Sequence, residues 1–114
     1  MKVAVIGSRS LQIDHLKDYL PEYVTEIISG GACGVDASAR EYAKSNNIPL
    51  TEYLPEYEKY GKRAPLIRNI RIIEDADIVL AFWDGKSHGT RFVIEKCEQM
   101  GKEIKVFTCP SQEQ

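Results

Sequence analysis

The sequence predicts an α/β fold in which helices cover both faces of a mostly parallel five-stranded sheet, giving a three-layer sandwich. Two observations predict this class. Short apolar runs alternate along the chain with segments of helical periodicity, which indicates repeated β-α-β units with right-handed crossovers. The first run is apolar without interruption, as is typical of strands buried on both faces of a parallel sheet.

Five strands are expected, one at each apolar run. The first is VAVIG at 3–7, the second VTEIIS at 24–29 and the third IPLTEYL at 48–54. The clearest is DIVLAFW at 77–83, and the last is EIKVF at 103–107.

Two helices are expected in the first half of the chain, because apolar residues recur there at helical spacing. The first helix would be stopped by Pro21 and would carry Leu11, Leu16, Tyr19 and Leu20. The second would end at Asn46 and Asn47, and its apolar face would consist of Val35, Ala39, Tyr42 and Ala43.

Two further helices are expected after a polar loop at 55–65. Pro65 would open the third helix, and its apolar stripe would consist of Leu66, Ile70 and Ile73. The fourth would span 89–101 and end at Gly101, and its inward residues would be Val93, Cys97 and Met100.

The chain has 114 residues, of which 43% are hydrophobic and 28% charged, and its net charge is −2. This length fits one domain, expected at 1–108, followed by a frayed tail at 109–114. The acidic balance argues against a general nucleic-acid or anionic-membrane binder, since either would need a basic surface. The first apolar run is too short for a secretion signal or a membrane span.

The cysteines and histidines match no zinc-binding spacing, so no metal site is expected. The residues concerned are Cys33, Cys97, Cys109, His15 and His88. Reduced cysteines indicate a cytoplasmic protein.

The candidate site lies in the loops that follow the strands, because open parallel sheets bind ligands beyond the carboxyl ends of their strands. The first loop, GSRS, has only Gly7 where a dinucleotide-binding GxGxxG motif needs three glycines. Ser8 and Arg9 supply a hydroxyl and a guanidinium suited to phosphate or carboxylate. Alternatively, Ser8 or Ser10 caps the first helix and Arg9 is solvated.

The second loop, GGACGVD, places Gly30, Gly31 and Gly34 ahead of a helix whose first turn contains Asp36. Glycine-rich loops of this kind let backbone N–H groups face an anion, and the helix dipole adds to the attraction. The alternative explanation of the glycines is a tight turn between strand and helix. Asp36 either accepts hydrogen bonds from ribose hydroxyls or interacts favourably with the helix dipole.

The third loop, DGKSHGT at 84–90, precedes the last long helix. It supplies two glycines, two hydroxyls and a cation: Gly85, Gly89, Ser87, Thr90 and Lys86. A glycine-containing loop at a helix start is a second candidate anion site, and it is expected at the same end of the sheet as the second loop.

The third helix carries a polar pair in the segment IRNIRII. Asn69 falls on its apolar stripe, where a buried amide without a partner costs about 1–3 kcal/mol. Arg68 is expected to point elsewhere. Ile67 and Ile72 make the helix apolar over more than one face, which predicts a homo-oligomer in which the helix also packs against a second subunit.

Four motifs in order resemble the SLOG superfamily, which is named for the Smf (DNA-processing) and LOG proteins. The motifs are GSR after the first strand, SGGACGVDASA after the second, RN at the head of the third helix, and DIVLAFWDGKSHGT. The resemblance is to the small stand-alone YspA/YpsA-like members of the superfamily, and it covers residues 2–107.

The resemblance implies a Rossmann-like domain that binds a nucleotide or nucleotide-derived molecule as a ligand rather than as a cofactor. A nucleoside monophosphate or an ADP-ribose-like molecule is such a ligand. The positions that match the family's motifs are Gly30, Gly31, Gly34, Asp36, Arg68, Asn69, Gly85, Ser87, Gly89 and Thr90.

The resemblance to catalytic members fails at one position. LOG-type phosphoribohydrolases carry PGGxGTxxE, whose glutamate serves cleavage of the N-glycosidic bond. The nucleoside 2-deoxyribosyltransferases have a nucleophilic glutamate shortly after a similar Gly-Thr. Here the corresponding residue is Val93. Glu95 follows two positions later, about 200° around a helix, and is expected to point away.

Two functions are therefore considered. Binding or sensing of a nucleotide is favoured by the two glycine loops, the Arg-Asn pair and the missing glutamate. The alternative is a hydrolase or transferase acting on the N-glycosidic bond of a nucleotide, which needs a carboxylate and an acid for the leaving base. Asp36 and Asp84 are the remaining carboxylates in the loops, although Asp84 could instead cap the turn after its strand.

Overall fold

The computed structural model describes residues 1–109 and has the predicted α/β architecture. Its strands are β1 (Lys2–Gly7), β2 (Glu26–Ser29), β3 (Leu50–Glu52), β4 (Ile78–Trp83) and β5 (Ile104–Thr108). They form one sheet, ordered β3-β2-β1-β4-β5, in which every neighbouring pair is parallel. The tail predicted at 109–114 lies outside the described residues except for Cys109, whose N–H donates to the Trp83 carbonyl at 2.8 Å.

Four α-helices connect or follow these strands. They are α1 (Val35–Ser45), α2 (Tyr57–Tyr60), α3 (Ala64–Asp75) and α4 (His88–Met100). Two short 3-10 turns, Leu16–Tyr19 and Gly61–Arg63, accompany them. None of the helices in the described part of the chain is long and apolar enough to cross a membrane.

The helices bury both faces of the sheet, which makes the fold a Rossmann-like three-layer sandwich. On one face, Val3 and Val5 pack in a core with residues of α1. On the other face, Ala4 and Ile6 pack in a second core with residues of α3 and α4. Successive strand residues point to opposite faces of the sheet. Burial of both faces therefore explains why residues 3–6 of β1 are all apolar.

The helix predicted from Leu11 to Leu20 is wrong, since this segment contains only the 3-10 turn at Leu16–Tyr19. Leu11 and Leu16 are fully buried all the same. The backbone N–H of Ile13 donates to the Ser38 hydroxyl of α1 at 3.0 Å instead of forming an intrahelical bond. The apolar spacing of the segment therefore reflects core contacts made by non-helical chain.

The loop predicted at 55–65 is wrong in part, because α2 and the second 3-10 turn lie within it. Pro65 does occupy the first turn of α3, as predicted. Strands β2 and β3 are shorter than expected, beginning at Glu26 and Leu50.

The buried faces of α3 and α4 differ from the predicted ones at three residues. Leu66 is 39% exposed and Met100 is 42% exposed. Ile72, expected to face a second subunit, is 1% exposed and packs against this chain's own sheet. Gly101 ends α4 in the left-handed conformation, with φ 68°, as predicted.

Candidate functional site

A cavity of about 440 Å³, here called the site cavity, opens at the carboxyl ends of β1, β2 and β4. Strand β1 lies between β2 and β4, so this is the crevice where the strand order changes direction and where α/β sheets bind ligands. The predicted site residues that line it are Gly7, Arg9, Gly30, Asp36, Arg68, Asn69, Asp84, Ser87, Gly89 and Thr90. Those outside its lining are Ser8, Gly31, Gly34 and Gly85.

Arg68 closes the β2 side of the site cavity. Its Nη1 donates to the Gly30 carbonyl at 2.7 Å and to the Tyr53 carbonyl at 3.2 Å, and its Nε donates to Asn69 Oδ1 at 2.8 Å. The expectation that Arg68 points elsewhere is therefore wrong. Burial lowers the pKa of Arg68, although the nearby Asp36 opposes this shift; a guanidinium stays charged in any case.

Gly30 allows the close approach of Arg68. A Cβ at this position would lie 2.7 Å from Arg68 Nη1 and 3.0 Å from Asp36 Oδ2. Contacts below 3.0 Å force a shift of the neighbour. A side chain here would thus move the guanidinium that borders the cavity.

The other two glycines of the second loop serve its tight turn. Gly31 and Gly34 have φ values of 72° and 71°, a region that side-chain-bearing residues rarely adopt. The N–H of Gly31 donates to the Ser29 hydroxyl, and that of Ala32 donates to Asp36. These two amides are already satisfied, so the tight-turn explanation accounts for this part of the loop.

Asp36 presents a carboxylate to the site cavity from the first turn of α1. It is 7% exposed, and its Oδ2 accepts from the Ala32 N–H at 3.1 Å. No fully buried side-chain nitrogen or oxygen in the described part of the chain lacks a partner. Oδ1, for which no hydrogen bond is found, therefore keeps accessible surface, and Asp36 is part of the cavity lining. Burial raises the pKa of Asp36, while the Ala32 N–H and Arg68 partly oppose this.

Arg40 supports the second loop from behind and is missed by the sequence reasoning. Its Nη2 donates to the Gly31 carbonyl at 3.1 Å, and its Nε pairs with Glu52 at 2.9 Å. The signal in the sequence is its spacing, since a residue four positions after Asp36 lies on the same side of the helix.

The start of α4 forms the β4 side of the site cavity. Ser87 caps the helix, and its hydroxyl accepts from the Thr90 N–H at 3.4 Å. The first N–H groups of a helix have no intrahelical partner, which leaves those of His88 and Gly89 without one. A Cβ on Gly89 would meet no atom within 4 Å, and φ there is not positive. Neither packing nor backbone conformation requires a glycine at this cavity wall.

Asp84 anchors the third loop and ties it to the first. Its Oδ1 accepts from the N–H groups of Lys86 and Ser87, both at 2.8 Å, and its Oδ2 accepts from Ser10 at 2.9 Å. These hydrogen bonds lower the pKa of Asp84 to about 2. Its oxygens are thus engaged in capping the turn, the second of the two roles considered for it.

Ser8 is buried and holds the ends of two strands together. Its hydroxyl accepts from the Asp84 N–H at 3.1 Å, and its own N–H donates to the Phe82 carbonyl at 3.0 Å. The alternative in which Ser8 or Ser10 caps a first helix is wrong, because no α-helix follows β1 before β2.

An apolar wall completes the site cavity and is also missed by the sequence reasoning. Its members are Ile6, Ala32, Pro65, Leu66, Ile72 and Val93. Pro65, Asn69 and Ile72 stand at helical spacing i, i+4 and i+7, so the periodicity of α3 around Asn69 could have identified this face.

Glu95 lies away from the site cavity, as its helical position predicts. It pairs with Arg91 at 3.1 Å, and both side chains are more than half exposed. Val93 borders the cavity. Among residues 1–109 there is no group of three or more His, Cys, Asp or Glu side chains that could hold a metal ion.

The site cavity therefore offers two kinds of contact. Arg68, the exposed Arg9 and the start of α4 attract negative charge, whereas Asp36 accepts hydrogen bonds.

The sequence is similar to that of a phage protein. The Gene 61 protein of Mycobacterium phage D29 is 31% identical to this chain over 119 aligned positions, which cover 93% of this chain and 95% of the phage protein. No family model matches the chain. No solved structure matches it.

Proposed function

This chain belongs to the family of the Gene 61 protein of Mycobacterium phage D29, and from the chemistry of its site cavity we propose that it binds a nucleotide or nucleotide-derived ligand as a binding or sensing protein. The observation that carries the proposal is the meeting of an anion-attracting helix start, two guanidinium groups and a buried hydrogen-bond acceptor in one cavity of about 440 Å³.

The phosphate is assigned to the start of α4. The free N–H groups there, the Ser87 and Thr90 hydroxyls and the positive end of the helix dipole all favour an anion. The open space beside Gly89 leaves room for it. The negative charge of Asp36 disfavours a phosphate directly beside that residue.

The sugar is assigned to Asp36 and the base to the apolar wall. The open Oδ1 of Asp36 can accept a hydrogen bond from a ribose hydroxyl, the role that a carboxylate plays in dinucleotide-binding sheets. Pro65 and Leu66 offer the partly exposed apolar surface that a planar base needs.

The N-glycosidic hydrolase or transferase is the weaker candidate because only one of the three carboxylates considered has an oxygen without a hydrogen bond at the cavity. Asp84 lines the cavity, but its oxygens accept three hydrogen bonds that hold the first and third loops, and Glu95 faces away from the cavity. Asp36 is then left as a single carboxylate, whereas this chemistry ordinarily uses two carboxyl groups.

The proposal is tested by adding a charge where the phosphate should lie. Gly89→Asp places a carboxylate at the start of α4, where it favours the helix through its dipole but repels a phosphate. Calorimetry with AMP and ADP-ribose should show binding to the wild type and at least about tenfold weaker binding to the variant, equivalent to about 1.4 kcal/mol.

His88→Asp is the matched control, since it adds the same charge one residue earlier, outside the cavity lining. His88→Asp should lower nucleotide affinity clearly less than Gly89→Asp does. Absence of binding by the wild type across AMP, ADP, NAD and ADP-ribose would contradict the proposal. Release of free base during incubation, detected by chromatography, would instead favour the enzyme.

A further inference from the structure

A groove leaves the site cavity beside Arg9 and follows α1. Its first part, about 280 Å³, lies between the segment 9–12 and α1 and shares Arg9 and Ser10 with the site cavity. Its second part, about 240 Å³, continues along α1 and shares Gln12, Ser38 and Glu41 with the first. We call these two parts together the α1 groove.

The walls of the α1 groove are fixed by close contacts. A Cβ on Gly34 would lie 2.5 Å from the Arg9 carbonyl, so glycine allows the segment after β1 to approach α1. The Ser38 hydroxyl accepts from the Ile13 N–H at 3.0 Å and donates to the Gly34 carbonyl at 3.4 Å. The groove is thus formed before any ligand binds.

The groove has a cation at its entrance and carboxylates farther along. Arg9, at the junction, is exposed and makes no hydrogen bond or ion pair with any described residue. Glu41 lines both parts of the groove, and Asp14 lines the second part. Neither carboxylate has a hydrogen-bond or ion-pair partner among the described residues. This order favours a phosphate at the entrance and hydrogen-bond donors beyond it.

We infer that the α1 groove is a second subsite, which binds a hydroxyl-rich group joined through a diphosphate to the nucleotide in the site cavity. The inference rests on the proposed function. Arg9 would contact the diphosphate, because it borders both cavities and its guanidinium suits phosphate oxygens. Glu41 would accept hydrogen bonds from sugar hydroxyls, and its charge disfavours a terminal phosphate at that point.

The experiment compares AMP with ADP-ribose, which adds a second phosphate and a sugar. We expect calorimetry to show ADP-ribose binding at least about tenfold more tightly than AMP, a gain typical of one or two good additional contacts. Ala37→Trp, which fills the groove from α1, should abolish this gain and leave AMP affinity unchanged. Glu41→Gln should weaken ADP-ribose binding several-fold and leave AMP binding unchanged.

Lys44→Trp is the control, since it adds the same side chain to α1 outside both parts of the groove. Circular dichroism establishes that each variant is folded, and Glu41→Gln decides the question if Ala37→Trp is not. Equal affinities of the wild type for AMP and ADP-ribose, or equal losses of both ligands in the folded groove variants, would overturn the subsite. Failure of the wild type to bind AMP or ADP-ribose would overturn the subsite, and failure to bind ADP and NAD as well would overturn the proposed function.

Discussion

Gly30 and Arg68 are in close contact at the border of the site cavity. Gly30→Ala would place a Cβ 2.7 Å from Arg68 Nη1, so the guanidinium must move and its hydrogen bond to the Gly30 carbonyl weakens. We expect the free energy of unfolding to fall by about 1–2 kcal/mol and nucleotide affinity to fall about tenfold. Chemical denaturation and calorimetry measure the two effects.

Gly61→Ala serves as the control for Gly30→Ala. Gly61 has φ 59° and open space around it, outside the site cavity, so the substitution introduces backbone strain without touching the site. Its stability should fall while affinity stays constant. Unchanged affinity in Gly30→Ala as well would argue that Arg68 has no part in binding.

Asp36 opposes stability at neutral pH because burial raises its pKa. Its ionised form is disfavoured in the folded protein, so stability is highest below the unfolded-state pKa and is lost as the pH rises through the folded-state pKa. Asp36→Asn keeps an oxygen for the Ala32 N–H and removes the charge. We expect a higher melting temperature than the wild type at pH 7, a difference that shrinks toward pH 4, and weaker nucleotide binding.

Thermal melts at the two pH values, paired with calorimetry, test the Asp36 prediction. A lower melting temperature of Asp36→Asn at pH 7 would contradict it. An increase in stability combined with a loss of affinity is the pattern expected of a residue retained for binding.

The sequence predicted which residues near strand ends border the cavity better than it predicted where long side chains lie. Asp36, Ser87 and Thr90 border the cavity because they follow strands of a parallel sheet, and that rule was available from the sequence. Arg68 was misplaced because its guanidinium extends well beyond the helix surface, to carbonyl groups of another loop. The position of a residue on a helix fixes the direction of its Cα–Cβ bond. It does not fix where the end of a long side chain such as that of arginine lies.

At the scale of the secondary-structure elements, the start of α4 combines a good cap with a residue that weakens helices. Glycine costs about 0.5–1 kcal/mol relative to alanine inside a helix, and nothing in the fold requires it at position 89. Gly89→Ala should therefore raise the free energy of unfolding by up to about 1 kcal/mol. It should also weaken nucleotide binding, because the added methyl group enters the space assigned to the phosphate.

Denaturation and calorimetry on the same preparation test this prediction. Ser87→Ala gives the opposite comparison, since losing the cap should destabilise the protein by about 0.5–2 kcal/mol. If Gly89→Ala binds nucleotide as tightly as the wild type, the assignment of the phosphate to the start of α4 is wrong.

The elements that sequence predicted poorly are those held by contacts from elsewhere in the chain. Residues 11–20 show apolar spacing that suggests a helix, but Tyr19 packs edge-on against Phe82 and Phe107, with ring centroids 5.0 and 4.9 Å apart. Such contacts between distant residues have no local signature. The bounds of helix α4 were predicted to within one residue, because its periodicity and its terminal glycine lie within its own sequence.

For the molecule as a whole, Asp84 joins the ends of β1 and β4 through Ser8 and Ser10. Its pKa is lowered to about 2, so its stabilising contribution is complete above pH 4 and is lost as the pH falls through the folded-state value. Asp84→Asn should be less stable than the wild type at pH 7, and the difference should narrow between pH 4 and pH 2. Denaturation across this pH range measures it.

Asp77→Asn is a control for Asp84→Asn, since Asp77 accepts a backbone N–H at the opposite end of the sheet. A stability difference for Asp84→Asn that stays constant from pH 7 to pH 2 would show that ionisation of Asp84 does not matter.

The overall architecture was accessible from sequence because it depends on repeated local patterns. Uninterrupted apolar strands alternating with amphipathic helices leave few arrangements that bury every apolar face. The sheet is fully parallel rather than mostly so. The position of the cavity was expected from the rule that ligands bind beyond the carboxyl ends of parallel strands. Its apolar wall depends on how α3 is rotated, and the exposed Leu66 shows that this rotation differs from the predicted one.

The hydrogen bond that the Ser10 hydroxyl donates to the Asp84 side chain crosses 74 positions of sequence, and this has an evolutionary consequence. A substitution at one end leaves a donor or an acceptor at the other end without its partner. Homologous chains should therefore change these positions together. Chains that replace Asp84 with a residue unable to accept hydrogen bonds should also depart from serine at position 10. An alignment of homologous chains should therefore show covariation between positions 10 and 84.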